Sequence, residues 1–192
     1  MIAPPERSDA RDAAIDALLP LVPEYGWTVA ALQRAAGRDA DLLFPSGPAD
    51  MVEAYIDLAD RRMASAAAPL LAGLRLPQRV RALIAERFAQ AAPHRDAVRR
   101  AFAVLSMPAN LATSARCTAR TVDAIWDAAG DRSADFSWYT KRAILASVYS
   151  ATLLFWLGDR SVDGEATLAF LDRLLAGVAR IGKLRRRLSK AA

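Results

Sequence analysis

Residues Asp135–Asp159 read DFSWYTKRAILASVYSATLLFWLGD. Two aromatic residues stand beside two cations near the start, and sixteen residues then follow, Ala143 to Gly158, with no charge. The run falls short of the roughly 20 residues a transmembrane helix needs, and it contains Ser147, Tyr149, Ser150 and Thr152. A membrane span is therefore disfavoured. Two readings stay open: a helix buried on all sides, or a helix with one side turned to a cavity for an apolar ligand.

The surrounding chain sets the class. Apolar residues make up 54% of its 192 residues, above the roughly 45–50% of ordinary soluble domains. Alanine and leucine dominate, both good helix formers, and no segment alternates polar and apolar at period two. The expected fold is all-α, with about nine helices. Ser8 can cap the first, expected to run from about Ser8 to Val22, and the second starts near Thr28 and ends at Gly37, with Val29, Leu32 and Ala36 expected inward. Pro48 suits the first turn of the next, and Gly130 stops a helix that begins near Asn110. The run quoted above forms a helix from Phe136 or Ser137 to Leu157. One compact domain results: a helix-turn-helix-like region over 1–47, a helical core over 48–179 and a basic tail over 180–192.

Composition also bounds the chemistry. One cysteine, Cys117, excludes an internal disulfide and a four-cysteine metal site. The one histidine, His94, follows Pro93 at a helix start and reads as a surface or capping residue. No pair of carboxylates, metal-ligand cluster or nucleophile with a base stands out, so no catalytic residue, metal or cofactor is expected. The first residues show no basic segment followed by an unbroken apolar one, so no targeting signal is read. Net charge is +5, but Arg180, Lys183, Arg185, Arg186, Arg187 and Lys190 hold six of the 26 cations and the body keeps 20 against 21 anions. The basic end suits an anionic surface such as a membrane or RNA. If helical, it gathers Ile181, Leu184 and Leu188 into a short interfacial stripe.

The first fifty residues have a further pattern. An amphipathic helix precedes WTVAALQRAAG (Trp27–Gly37), a short link and LFPSGPADMVEAY (Leu43–Tyr55). This resembles the DNA-binding region of TetR-type repressors and implies their helical fold. Only six residues, Arg38 to Leu43, separate Gly37 from Phe44, and RDADLL carries a net charge of −1. A recognition helix must reach the major groove and offer donors to bases and phosphates. A short acidic segment opposes both needs, so DNA binding is expected to be lost. A TetR-type repressor with a hydrophobic effector stands as the alternative function.

A second resemblance covers about Leu43 to Ala179. LFPSGPADMVEAYIDLADRRM, PHRDAVRRAFAVLSMPAN, TLAFLDRLL and above all AGDRSADFSWYTKR (Ala129–Arg142) resemble the accessory lipid-binding protein family of ubiquinone biosynthesis. The resemblance implies a non-enzymatic homodimer with a TetR-like fold. It implies binding of an isoprenoid quinone precursor or a phospholipid, and peripheral attachment to the cytoplasmic face of the inner membrane. It also implies presentation of the precursor to the di-iron ring hydroxylase of the pathway, with no nucleic-acid partner.

Each buried methylene of a polyprenyl tail contributes about 0.8 kcal/mol, so a modest apolar cleft can hold one. Expected wall residues are Leu145, Val148, Tyr149, Thr152, Leu153 and Trp156, with Met51, Tyr55 and Leu58 from the helix after the turn; ordinary core packing is the competing reading for each. The resemblance further implies a hydroxylase-binding patch at Trp138, Tyr139 and Arg142, with Met107, Pro108 and Asn110 beside it. On a helix Trp138 and Arg142 share a face, and Asp135 precedes them, able to cap the helix or pair with Arg142.

Overall fold

Two side-chain caps set the N-terminal half. The Arg11 backbone N–H donates to Ser8 Oγ at 3.2 Å, and that of Ala31 donates to Thr28 Oγ1 at 3.1 Å. They start α1 (Asp9–Leu18) and α3 (Val29–Ala36). The computed structural model describes the backbone of residues 3–131 and 137–191 and the side chains of 3–131 and 138–180. It is helical throughout, with no strand among the described residues. Where one helix was expected to run to Val22, Pro20 and Pro23 each lack an amide donor. The chain passes instead through a 3₁₀ turn (Leu19–Leu21) into the single turn α2 (Val22–Tyr25).

The inward face of α3 is Ala31 and Leu32, with Ala35 packed beside them; Val29 and Ala36 are exposed. Centring the face on the branched Val29 misplaces it by about 100°, one residue of helical rotation. After Gly37 the chain makes only a 3₁₀ turn, Ala40–Leu43, in the place of a recognition helix. Leu42 there is 77% exposed, and Asp41 accepts a bond from Gln33 Nε2 at 3.2 Å.

The core follows as α4 (Pro48–Ala67), α5 (Leu76–Ala91), α6 (Arg95–Leu105), α7 (Leu111–Ala129), α8 (Ser137–Gly158) and α9 (Glu165–Ala191). Gly130 ends α7 in the left-handed region, φ 81°, and the Asp131 amide reaches back to the Trp126 carbonyl at 3.0 Å. His94 occupies the N-cap position of α6 without a side-chain cap bond.

Helix α4 runs through both hydrophobic clusters. Its first half, with Met51, Val52, Tyr55 and Leu58, joins α1, α3 and α6. Met63 and Ala67 join a second cluster with α5, α7, α8 and α9. Between them α4 packs on α1, α5, α6 and α7. The uncharged run of α8 is not buried all round. Leu145, Val148, Tyr149, Thr152 and Trp156 are buried, whereas Ile144, Leu154 and Phe155 are exposed. Among the described residues no helix is long and apolar enough to cross a membrane.

The α8–α9 link is fixed by Asp159. Its carboxylate accepts from the Thr167 amide at 3.0 Å and hydroxyl at 2.5 Å, and from the Ser161 amide at 2.8 Å. The Ala166 amide is taken by Ser161 Oγ at 3.0 Å. Free donors of the first turn of α9 are thereby satisfied. The Thr167 hydroxyl, aided by Ser161, holds the Asp159 carboxyl down at about 2. A depressed folded-state value gives stability that is complete above the ordinary carboxylate range and lost as pH falls through about 2. Asp159→Ala should therefore cost about 1 kcal/mol at neutral pH. Denaturant unfolding across pH should show the gap between the two proteins closing as pH approaches 2; a gap independent of pH would mean the carboxylate charge contributes nothing.

Candidate functional site

A buried polar cluster interrupts the apolar seam between α4, α5 and α7. On α5 the inward positions Val80, Ile84, Arg87 and Ala91 follow helical spacing, and Arg87 lies among the apolar ones. On α7, Cys117, Thr121 and Ile125 do the same around Thr121. On α4, Asp60 is buried. These three meet: Arg87 Nε donates to Asp60 Oδ1 at 3.1 Å, and Thr121 Oγ1 donates to Asp60 Oδ2 at 2.7 Å. Burial raises the Tyr55 phenol, and the Arg87 charge pulls against it. Burial pushes the Asp60 carboxyl upward, and the Arg87 charge and Thr121 hydroxyl pull against it.

Arg87 and Thr121 of this cluster line a cavity of about 170 Å³ between α4, α5, α6, α7 and α8. Tyr55, Arg87, Thr121, Cys117 and Tyr149 bring polar atoms to it, while Ile56, Phe88, Leu105 and Trp156 supply apolar wall. Phe88 stacks on Tyr149 at 5.8 Å between centroids and 15° between planes, and packs tilted on Trp156 at 5.5 Å. Burial raises the Tyr149 phenol to about 12 and the Cys117 thiol to about 11, so both stay neutral at physiological pH. Phe102 and Leu154, both exposed, stand at the mouth.

The expected apolar wall divides here. Tyr55, Tyr149, Leu153 and Trp156 line the cavity. Met51 and Leu58 sit in the N-terminal cluster and Leu145 and Val148 in the second, all as buried packing. Thr152 is buried with its hydroxyl bonded to the Val148 carbonyl at 2.7 Å. The α5 and α6 side of the cavity was missed. The signal for it was Arg87, a charge at an apolar register position of a helix.

An open groove of about 600 Å³ runs between α7 and α8. Ser114 and Thr118 belong to both groove and cavity. On α8 the groove ends at Ala146, one turn before Ser150 on the cavity side. Small side chains, Ala115, Ala119, Ala143 and Ala146, floor it.

The residues expected to bind a partner lie along this groove. Trp138 and Arg142 close one end and Leu111 marks the other, about 18 Å apart along α7 at 1.5 Å per residue. The Arg142 guanidinium lies 3.7 Å from the centre of the Trp138 ring and pairs with Asp123 and, at 4.0 Å, Asp127 of α7. Tyr139 is 72% exposed, its ring edge-on to Trp138 at 4.7 Å. Met107 and Pro108 are exposed beside Leu111, and Asn110 Nδ2 donates to the Val104 carbonyl at 2.8 Å. Asp135 lies outside the described residues. Of the expected membrane-binding cations, Arg180 is exposed. The side chains of Lys183, Arg185, Arg186, Arg187 and Lys190 lie outside the described ones, although the backbone of α9 stays helical through them.

The helices that build the groove are those a known family shares. A family model described as COQ9 matches residues 111–182. The ubiquinone biosynthesis protein coq9, mitochondrial, of Schizosaccharomyces pombe is 33% identical over 172 residues, 85% of this chain and 68% of that protein. The chain belongs to the COQ9 family. The rat ubiquinone biosynthesis protein COQ9, mitochondrial, is 29% identical over 181 residues. This COQ9-family chain matches 58% of the rat protein's length and so spans little more than half of it. A TetR transcriptional regulator from Nitrosomonas europaea superposes with a TM-score of 0.71 at 24% identity, over 90% of this chain and 99% of that one. That likeness establishes the TetR-like fold.

The Asp60–Arg87 pair gives a direct stability test. Removing one partner of a buried pair leaves the other charge uncompensated, at a cost of about 3–5 kcal/mol. Asp60→Ala should lose that much in urea unfolding, and Asp60→Leu combined with Arg87→Met should recover most of it. A double variant as unstable as Asp60→Ala would show that packing, not charge, holds the crossing.

Proposed function

We propose that the protein is a non-enzymatic, lipid-binding accessory factor of ubiquinone biosynthesis, which holds an isoprenoid quinone precursor and presents it to the di-iron ring hydroxylase of that pathway. The observation that carries this reading is the cavity beside an open, alanine-lined groove, with Ser114 and Thr118 lining both. Membership of the COQ9 family supplies the pathway. The groove ends at a tryptophan, an arginine and an exposed tyrosine, residue types enriched at interface hot spots, and these form the proposed docking patch for the hydroxylase.

The protein acts as a homodimer on this reading. The exposed apolar side of α8, where Phe155 stacks on Phe170 of α9 at 4.5 Å, supports a second copy pairing there. Its site of action is the cytoplasmic face of the inner membrane, held peripherally by the basic end of α9. A few cations contribute about 1 kcal/mol each near an anionic leaflet, so attachment is reversible and salt-sensitive. The repressor alternative is disfavoured by the single 3₁₀ turn at Ala40–Leu43, which is too short to lie along a major groove.

Native mass spectrometry with lipid extraction, on protein purified from a host that makes ubiquinone, tests the carrier role. An isoprenoid or phospholipid retained on a dimer is the expected result; a ligand-free mass would overturn it. Trp138→Ala combined with Tyr139→Ala should abolish pull-down of the hydroxylase while helicity and lipid content stay unchanged. Retained pull-down would remove this patch from the interface, and loss of helicity would assign both aromatics to the core.

A further inference from the structure

The cavity is small and chemically uneven. An apolar cavity of about 150 Å³ holds one benzene ring, and this one measures about 170 Å³. A polyprenyl tail of several units exceeds that volume, whereas a single substituted ring matches it. A hydrocarbon would also leave the polar end of the cavity unanswered. Arg87 has five N–H donors, of which Nε is given to Asp60. Tyr149 lines the cavity, and burial keeps it a neutral phenol near the charges of Arg87 and Asp60. Asp60 is fully engaged by Arg87 and Thr121, so what the cavity offers an occupant is donors from Arg87 and Tyr149.

We propose that the cavity takes a single oxygen-bearing aromatic or quinoid ring, with a ring oxygen bonded to Tyr149 and Arg87 and the apolar substituent leaving through the mouth into the α7–α8 groove. This rests on the reading of the cavity and groove as the ligand site and fixes the ligand's direction in it. The ring faces α5 and the tail lies over Ala115, Ala119, Ala143 and Ala146. The mouth suits such a ligand: Ser114 and Thr118 line both cavity and groove, and the exposed Phe102 and Leu154 add apolar surface to the cavity. The flat ring enters beside the Phe88 and Trp156 faces, where offset or edge-on aromatic contact is favoured. In this arrangement the oxidisable ring is shielded in transit, and hand-over requires its withdrawal towards the end of the groove marked by Trp138.

Two small probes of equal shape test this without any lipid. Calorimetric titration of the full chain with p-cresol and with toluene should show both binding. Tyr149→Phe keeps the ring stacked on Phe88 and removes the hydroxyl alone. It should weaken p-cresol by about 2- to 12-fold, the range of one ordinary hydrogen bond, and leave toluene unchanged. Equal loss for both probes, or no loss for p-cresol, would overturn the proposal, since water would then suffice as the partner of Tyr149. Leu154→Trp, at the exposed mouth, should exclude both probes; undiminished binding would place them elsewhere and also overturn it. The two readings fail separately. A chain that copurifies with an isoprenoid yet binds neither ring keeps the carrier role and ends this inference. A chain that binds p-cresol in the Tyr149-dependent manner but carries no lipid does the reverse.

Discussion

The buried contact among Asp60, Arg87 and Thr121 is the constraint on which the core depends. It ties α4, α5 and α7 at one point. A charge placed there is stabilising only if its partner arrives in register, because an unpaired buried charge is expensive. The contact therefore specifies how the three helices cross more than it adds to net stability. It also explains why a cavity survives beside it. Apolar side chains could close around a void, but a guanidinium and two tyrosines cannot collapse onto one another without losing their geometry.

A second buried cation does similar work at the other end of α4. Arg11 on α1 is almost wholly buried, donates to the Leu43 carbonyl and to Asp50 Oδ1, and lies over the Phe44 ring at 4.4 Å. It fastens the shortened turn after Gly37 to the start of α4. A TetR-like fold normally leaves this region free to meet DNA as a rigid reading head. Here the turn is drawn inward by one arginine, and Arg38, Asp39 and Leu42 remain exposed.

Much of this was legible in the sequence where local chemistry decides. Ser8, Thr28, Pro48 and Gly130 marked helix ends because capping and backbone conformation depend on a few adjacent residues. The short interval from Arg38 to Leu43 likewise revealed the lost recognition helix. The site was legible only in part. Tyr55, Tyr149, Leu153 and Trp156 read as greasy positions on two helices, and so did Met51, Leu58, Leu145 and Val148. Periodicity places all eight inward, but which inward residues meet a void is decided by how α5 and α6 cross them. Arg87 and Phe88 belong to a helix that looks like ordinary core apart from its misplaced charge. The pairing of Arg142 with Asp123, nineteen residues back, was not legible, because the two come close only once α7 and α8 fold antiparallel.

The uncharged run in α8 can now be understood from its three surroundings. One side packs into the second core cluster through Leu145 and Val148. A second, through Tyr149, Leu153 and Trp156, walls the cavity. The third, with Ile144, Leu154 and Phe155, is exposed. A helix serving only a core would carry charge on that third side, since exposed lysine and glutamate cost nothing there and prevent association. Its absence along sixteen residues leaves an apolar outer side, which the proposed second copy would cover. The same helix thus joins fold, cavity and outer surface.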